Sequence, residues 1–501
     1  MAASDKYKTD KVAHVFDGVK FKTQPWAIQA QTLAFVLDDH LRSHIWMPIG
    51  RGKSWVALMA AQVSKCRRIL VICPNSVVTS WERQVARHTH MASQAVIGSS
   101  ERRSEIVLGE DKGGVFIVNY EGLLPLCCDF MQVTEGEYLK RKHVINPKKL
   151  DAVAASFDMV IVDESHSISD PRASRTKIIH QLGHQIPYVL AMTGTPISKD
   201  SRDLWAQQFL LDGGASLFQS YWKFRKVYFK QVGMQWFPKK KASRKILYAI
   251  DNDVIRFSEN EVDGLPDIVF EDRFVTLSTE QFAYYESAER GLIKGIEEES
   301  ISINSVPHQQ MVLAEITGGH IKQEGNIIRI KPNNKLKELV ELLQELLTYD
   351  GKIIVFHCFI EDGRMIEEAL TKAKIQYASM RGEIKNKNAE EMKFNNDEGV
   401  RVLIANQSSC GVGTNFEDSK GKIVANRIVF YSREYSTVRY SQSIGRIRRG
   451  GQDRKCLVID LLAAGTIDEE IRDAVMSKTA SIERTLEYFQ KRKKEINSGK
   501  A

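Results

Sequence analysis

The sequence has seven cysteines but no CxxC pair, and two of the seven, Cys127 and Cys128, are adjacent. Neither a zinc knuckle nor a secreted disulfide framework has the spacing it needs, which points to a reducing, intracellular compartment. No apolar run is long enough to cross a bilayer, and the N-terminus lacks the apolar stretch of a secretory signal. A strong charge of one sign is also missing. The 71 Lys+Arg against 63 Asp+Glu leave +8, a mild excess that accommodates a polyanion partner without demanding one. At 43% hydrophobic and 27% charged residues, composition is that of an ordinary globular protein. A length of 501 residues gives room for about three domains of roughly 150 residues each.

What the chain does have is alternation. Over its first 200 residues short apolar runs at 45–47, 68–73, 115–118, 159–162 and 188–192 are separated by helical patterns. Near-continuous apolar strands joined by helices predict a parallel sheet covered on both faces. From about residue 203 to 288 aromatics recur at helical spacing, among them Trp205, Phe209, Tyr221 and Phe224, and read as the core of a helical module. The glycine-bearing polar stretch 317–334 reads as a linker. A helix over 335–347 then precedes strands at 353–356, 402–405, 428–431 and 457–461. A final helical pattern runs from Ile467 to about Lys494, with Ile467, Ile471, Val475, Ile482, Leu486 and Phe489 as a bracing stripe. No internal repeat occurs at solenoid periods. Basic residues cluster at 140–149, at 239–245 and in the tail 491–494; such runs are most often solvated faces.

Between the strand at 45–47 and a helix through Val56, Leu58 and Met59 stands Gly50-Arg51-Gly52-Lys53-Ser54. Glycines there let backbone N–H groups wrap phosphates at a helix N-terminus. Lys53 is placed to reach the β- and γ-phosphates of ATP, and Ser54 to ligate Mg2+. The first glycine of the long phosphate-loop pattern is replaced by Met47. Asp163-Glu164-Ser165-His166 follows the strand at 159–162, so both carboxylates lie at a strand's C-terminal end, where α/β sheets bind ligands. Asp163 is expected to hold Mg2+ through its water shell, and Glu164 to take a proton from the attacking water. Thr193-Gly194-Thr195-Pro196 ends a further strand, and the hydroxyls of Thr193 and Thr195 are candidates for coupling phosphate state to movement.

In the second half, Gln442-Ser443-Ile444-Gly445-Arg446-Ile447-Arg448-Arg449 places three arginines within four positions. Phosphoryl transfer needs positive charge on the transferred group, and an arginine supplied across a cleft is worth about 10³–10⁵ in rate. Read as one helix, Gln442, Arg446 and Arg449 share a face at i, i+4 and i+7, which makes Arg446 and Arg449 the expected arginine fingers and Gln442 a nucleotide contact. Gly411-Val412-Gly413-Thr414-Asn415 offers flexible backbone at a strand end, with Gly413 toward nucleotide and Asn415 toward a nucleic-acid phosphate.

With these motifs in this order, the sequence resembles the superfamily-two helicases and, within them, the Swi/Snf-type DNA translocases, over roughly residues 25–461. Pro25-Trp26-Ala27-Ile28-Gln29 looks like the Q motif, which implies Gln29 on adenine. The string from Cys73 to Glu82, containing Ser76, is similar to motif Ia. Val118-Asn119-Tyr120-Glu121 is similar to motif Ib, and Lys352 to His357 resembles motif IV. The resemblance implies nucleic-acid contacts at Ser76, Tyr120, His357 and Asn415. Departures are Met47-Pro48 ahead of the loop glycines, Ser165 where alanine is usual, and Cys410 where glycine is usual.

The fold so implied is α/β: two RecA-like lobes with parallel sheets at 1–200 and 321–465, a helical insertion and linker at 201–320, and a C-terminal bracing helix with basic tail at 466–501. The implied activity is a nucleic-acid-stimulated ATPase that moves along duplex or branched DNA, with RNA left open. The implied setting is the cytoplasm, in a compact bacterial or viral enzyme, with a nuclear setting also left open. The rival readings are a strand-separating DNA or RNA helicase and, more remotely, a non-catalytic nucleic-acid-binding scaffold.

Overall fold

The computed structural model describes residues 21–38, 40–109, 112–135, 138–197, 200–233, 235–257, 265–297, 306–323, 325–384, 386–407, 416–419, 421–477 and 492. The chain divides into two compact units, Met1–Asp263 and Gly264–Ala501. The boundary falls inside the 201–320 stretch read as an insertion and linker. Among the described residues no helix is long and apolar enough to cross a membrane.

The first unit is built on a seven-stranded sheet. Its strands are β1 (Arg42–Trp46), β2 (Arg68–Cys73), β3 (Ser93–Ala95), β4 (Gly114–Asn119), β7 (Met159–Asp163), β8 (Tyr188–Thr193) and β11 (Val254–Arg256), in the order β11-β1-β8-β7-β2-β4-β3. Every pairing is parallel. The apolar runs that predicted β1, β2, β4, β7 and β8 are buried almost throughout, as strands covered by helices on both faces require. Register brings their C-terminal ends level: Trp46 pairs with Thr193, Asp163 with Met192, and Cys73 with Asn119. Five loops that carry the sequence motifs therefore leave the sheet at the C-terminal ends of its strands.

The aromatic module behaves as its spacing predicts, and adds a hairpin. Helices α4 (Asp203–Asp212), α5 (Tyr221–Tyr228) and α6 (Ala242–Ala249) bury Leu204, Trp205, Phe224 and Ile246 against Trp46 and Val254. Between α5 and α6 stand antiparallel β9 (Phe229–Val232) and β10 (Gln235–Pro238). A second hairpin, β5 (Cys128–Glu135) with β6 (Tyr138–Ile145), carries the backbone of the basic run at 140–142, whose side chains lie outside the described residues.

The second unit holds a six-stranded parallel sheet of β12 (Ile268–Val275), β15 (Lys352–His357), β16 (Tyr377–Met380), β17 (Val402–Asn406), β18 (Ala425–Phe430) and β19 (Cys456–Ala463), in the order β12-β19-β18-β15-β17-β16. The stretch expected to be a linker instead contains a hairpin, β13 (His320–Gln323) with β14 (Asn326–Arg329), turned by Gly325 at φ +83°. Four-residue strands are too short to show a period of their own in the sequence. Helix α7 (Asn334–Leu346) buries Leu339, Leu342 and Leu343 on the sheet. Its Lys335 is fully buried and donates to Asp468 Oδ2 at 2.5 Å, at the start of α9 (Ile467–Met476). Ile467, Ile471 and Val475 of the predicted bracing stripe are buried, whereas Ile482, Leu486 and Phe489 lie outside the described residues. Arg492 of the basic tail pairs through Nε with Glu289, at 3.0 Å. Its charge is neutralised within the unit.

Candidate nucleotide-binding and hydrolysis site

The turn between β1 and α2 (Lys53–Val63) is made by glycines in conformations other residues avoid: Gly50 at φ +78° and Gly52 at φ +74°. Gly52 is also where the chain has no room. A Cβ there would stand 2.0 Å from Gln29 Nε2. Gln29, on α1 (Ala27–Leu37), is buried; its carbonyl accepts from the Trp26 N–H at 2.8 Å and its amide donates to the Arg51 carbonyl at 3.3 Å. The residue expected on adenine is thereby in direct contact with the phosphate loop. Lys53 donates to the Met47 carbonyl at 3.0 Å. Burial pulls its ammonium below the usual lysine range, while Glu164 and then Asp163 draw it back up. Ser54 opens the first turn of α2 and is half-buried.

Two strands away, β7 ends in the acidic pair. Asp163 Oδ2 accepts from the indole N–H of the buried Trp81 at 2.9 Å. Trp81 lies on α3 (Val78–His88), the helix behind exposed Ser76. Glu164 adopts a left-handed φ of +53°, which turns the chain sharply at the strand end. Burial and the neighbouring Glu164 charge push the Asp163 carboxyl up, against the Trp81 hydrogen bond. Burial also raises Glu164, but the His166 hydrogen bond and Lys53 outweigh it and hold that carboxyl below its ordinary range. Of the adjacent acids, the one expected to act as base is thus the one more firmly ionised.

The Thr193–Pro196 loop is tied to the acidic loop on two sides. Thr193 donates to Glu164 Oε2 at 3.4 Å and lies 3.1 Å from His166 Nδ1. On the other side Ser165 Oγ donates to Gln207 Oε1 at 2.9 Å, and Gln207 Nε2 donates to the Pro196 carbonyl at 2.8 Å, with Ser165 and Gln207 both fully buried. Gly194 packs against the phosphate loop, since a Cβ there would come within 3.0 Å of Ile49 Cγ1. Among the described residues, the buried Thr195 Oγ1 has no hydrogen-bond partner. Lys53, Asp163, Glu164, Thr193 and Thr195 thus come from three neighbouring strand ends. Sequence reasoning gave no role to Trp81, Gln207 or His166. The only signals for them were an indole within the motif Ia string and the His166 of the acidic box.

Other expectations are corrected. Tyr120, expected to contact nucleic acid, is buried, and its hydroxyl donates to the Asp163 carbonyl at 2.7 Å. The turn after β4 folds it beneath the acidic loop, so it supports that loop and presents nothing to a phosphate. His357 at the end of β15 is wholly buried, with Nδ1 at 2.8 Å from the Phe359 carbonyl. Burial draws its pKa down, which leaves a neutral ring inside the second unit. The arginines do not continue a helix. α8 (Thr437–Ile444) ends before them, and Arg446 and Ile447 bond back three residues, to Ser443 and Ile444, in successive turns. The i, i+4, i+7 face is therefore absent beyond Gln442, because the chain tightens at Gly445. Arg446 and Gln442 are buried, Arg449 pairs with Glu417 at 2.9 Å, and Arg448 donates to the Pro266 carbonyl at 3.3 Å. Gly413 and Asn415 lie outside the described residues.

Two parallel-sheet α/β units, the first with a glycine turn beside an acidic strand end, define the class: the ATPase core of a helicase-like motor. A model of the SNF2-related domain matches residues 22–328, and one of the helicase conserved C-terminal domain matches residues 334–451. The chain belongs to the SNF2-related family. It is 24% identical to protein p41 of Acyrthosiphon pisum secondary endosymbiont phage 1, across 91% of this chain and 96% of that one. It is 21% identical to the DNA repair and recombination protein RDH54 of Saccharomyces cerevisiae S288c, across 86% of this chain but 46% of the yeast protein. Among solved structures, the Sulfolobus solfataricus SWI2/SNF2 ATPase core in complex with dsDNA is similar at 21% identity, covering 92% of this chain and 94% of that chain with a TM-score of 0.41.

Proposed function

We propose that this protein couples ATP hydrolysis to movement along duplex or branched DNA. The observation that carries the reading is the convergence of Lys53, Asp163, Glu164 and Thr193 at adjacent strand ends, with the acidic loop hydrogen-bonded to the next loop on both sides. Lys53 binds the β- and γ-phosphates of ATP. Ser54 and Asp163 supply hard oxygen donors of the kind Mg2+ takes, one or two from protein with the rest from phosphate and water. When bound, that ion neutralises charge on the phosphates and polarises the γ-phosphoryl group.

Glu164 accepts the proton of the attacking water, and the buried Thr195 hydroxyl is available to the γ-phosphate. Loss of that phosphate is felt by Thr193, and through the Ser165–Gln207–Pro196 bridge by α4. Ser76, exposed at the head of α3, contacts a nucleic-acid backbone. The DNA assignment is supported by the family resemblance and by the name of the yeast relative.

Steady-state ATP hydrolysis measured with no nucleic acid, single-stranded DNA, duplex DNA, branched DNA and RNA tests this, with Lys53→Ala as blank. Strong stimulation by duplex or branched DNA is expected. Stimulation only by single strands or RNA contradicts the duplex assignment and favours a strand-separating helicase.

A further inference from the structure

The 38 residues from 213 to 250 hold nine lysines and arginines and no aspartate or glutamate. A solvated surface ordinarily mixes both signs, and the chain as a whole is nearly balanced. This segment contains α5, the β9–β10 hairpin and α6. Phe224, Phe229 and Ile246 seat it on the first unit by burying with Trp46 and Trp205. With the apolar side chains turned inward, the basic ones are left outside: Lys223, Lys226, Lys230, Lys240, Arg244 and Lys245 are all exposed.

Two features make this face firm. Lys239 donates to the Lys226 and Val227 carbonyls near the end of α5, at 2.6 and 3.0 Å, which fastens the turn before α6 to that helix. The Arg225 guanidinium stands 4.1 Å from the Trp236 ring centre and 5.0 Å from that of Trp222, a stacked arrangement that restricts a long side chain. Trp222 and Tyr248 remain exposed beside these charges, at 51% and 84%. Lysines and arginines interleaved with exposed aromatics suit a phosphate backbone.

We propose that the basic face of the α5–hairpin–α6 module holds the phosphate backbone of duplex DNA as a second contact, apart from the strand-end loops. The proposal rests on the motor reading above and gives that motor an additional grip. The module is anchored at β1 and β11, one edge of the sheet, whereas Ser76 follows β2, three strands from β1. At roughly 4.8 Å per strand that is about 14 Å. A duplex carries one charge per about 1.7 Å of axis, so one duplex can meet both places with several phosphates between them. Ammonium groups acting as point charges hold the backbone without reading sequence.

The test is binding of the full chain to fluorescent duplexes of unrelated sequence between about 50 and 200 mM salt. The variant carries Lys230→Gln, Lys240→Gln, Arg244→Gln and Lys245→Gln; Lys239 is kept because it fastens the turn. Affinity is expected to fall about tenfold or more, equally for all sequences, and the salt slope to flatten by up to about 0.9 per lost contact. A charge-preserving variant (K230R, K240R, R244K, K245R) is expected to retain the wild-type slope. If the fourfold variant unfolds early, the pair K240Q and K245Q is expected to flatten the slope by up to about two.

Unchanged affinity and slope overturn the proposal. So does loss of binding to phosphatidylglycerol vesicles or polyglutamate with duplex binding intact, which assigns the face to a lipid surface or an acidic protein. The two readings fail separately. A flattened slope without duplex-stimulated ATP hydrolysis in the wild type leaves the contact and removes the motor. Stimulation with an unchanged slope does the reverse.

Discussion

Trp81 donates its indole N–H to Asp163 across 2.9 Å, joining the helix behind the exposed Ser76 loop to the acidic pair of the proposed hydrolysis site. The tryptophan is buried and the carboxylate oxygen is fixed by it, so a shift of α3 alters the geometry of Asp163 directly. Trp81→Phe keeps most of the packing and removes the hydrogen bond. A bond to a charged group is worth about 1.5–3 kcal/mol. The variant is expected to bind Mn2+, followed by electron paramagnetic resonance with a non-hydrolysable ATP analogue, about tenfold or more weakly, with its thermal unfolding little changed. Equal metal affinity in the two proteins refutes a positioning role for Trp81.

The Ser165–Gln207 pair makes a prediction whose direction is unusual. Ser165→Ala leaves the Gln207 carbonyl buried without its donor, which costs about 1–3 kcal/mol. Replacing both partners by apolar groups removes that penalty. Ser165→Ala alone is therefore expected to destabilise the first unit more than Ser165→Ala with Gln207→Leu, although the double variant also loses the tie to Pro196. Its turnover is expected to stay low while its stability recovers. Urea unfolding beside ATP turnover checks this, and simple additivity of the two changes contradicts it.

Acid sensitivity follows from three histidines of the first unit. Burial draws His44, His88 and His180 each down to about 4, from an ordinary value of 6.5. A folded pKa below the unfolded one means the unfolded chain binds more protons. Their stability contribution is full above about 6.5 and is lost as pH falls from there toward 4. The buried His44 and His180 are each expected to cost about 2 kcal/mol between pH 7.5 and 5, and the half-buried His88 less, because solvent screens it. Urea titrations at the two pH values measure this, and His44→Gln is expected to lessen the difference. A flat profile over that window contradicts the assignment.

Much of the first unit was legible in the sequence, because five of its strands carry an apolar run and each is followed by a turn with its own chemistry. The second sheet was less so. β12 has exposed Val269, Phe270 and Phe274 among charged residues, and pairs with β19, nearly two hundred positions later. No local pattern reports such a pairing. Lys53 and the acidic pair stand out in the sequence because phosphate chemistry restricts which residues can serve, and the structure brings them to neighbouring strand ends. Trp81, Tyr120 and Gln207 are not readable in the same way. Their roles depend on which side of a loop the fold tucks them, and a buried tyrosine beside an acidic loop has the same spelling as an exposed one on DNA. The arginine segment was misread for a related reason: residues after Ile444 keep helical spacing in the sequence while the backbone tightens at Gly445.

Displacement of a third strand from a triplex is the most direct test of ATP-driven movement along intact duplex DNA. A fluorescent triplex-forming oligonucleotide is placed on a long duplex, and its release is followed with wild type and with Glu164→Gln. Wild type with ATP is expected to release it without separating the underlying duplex, and Glu164→Gln to release none while still binding DNA. Release that is independent of ATP, or no release by a wild type whose ATP hydrolysis the same duplex stimulates, contradicts the account.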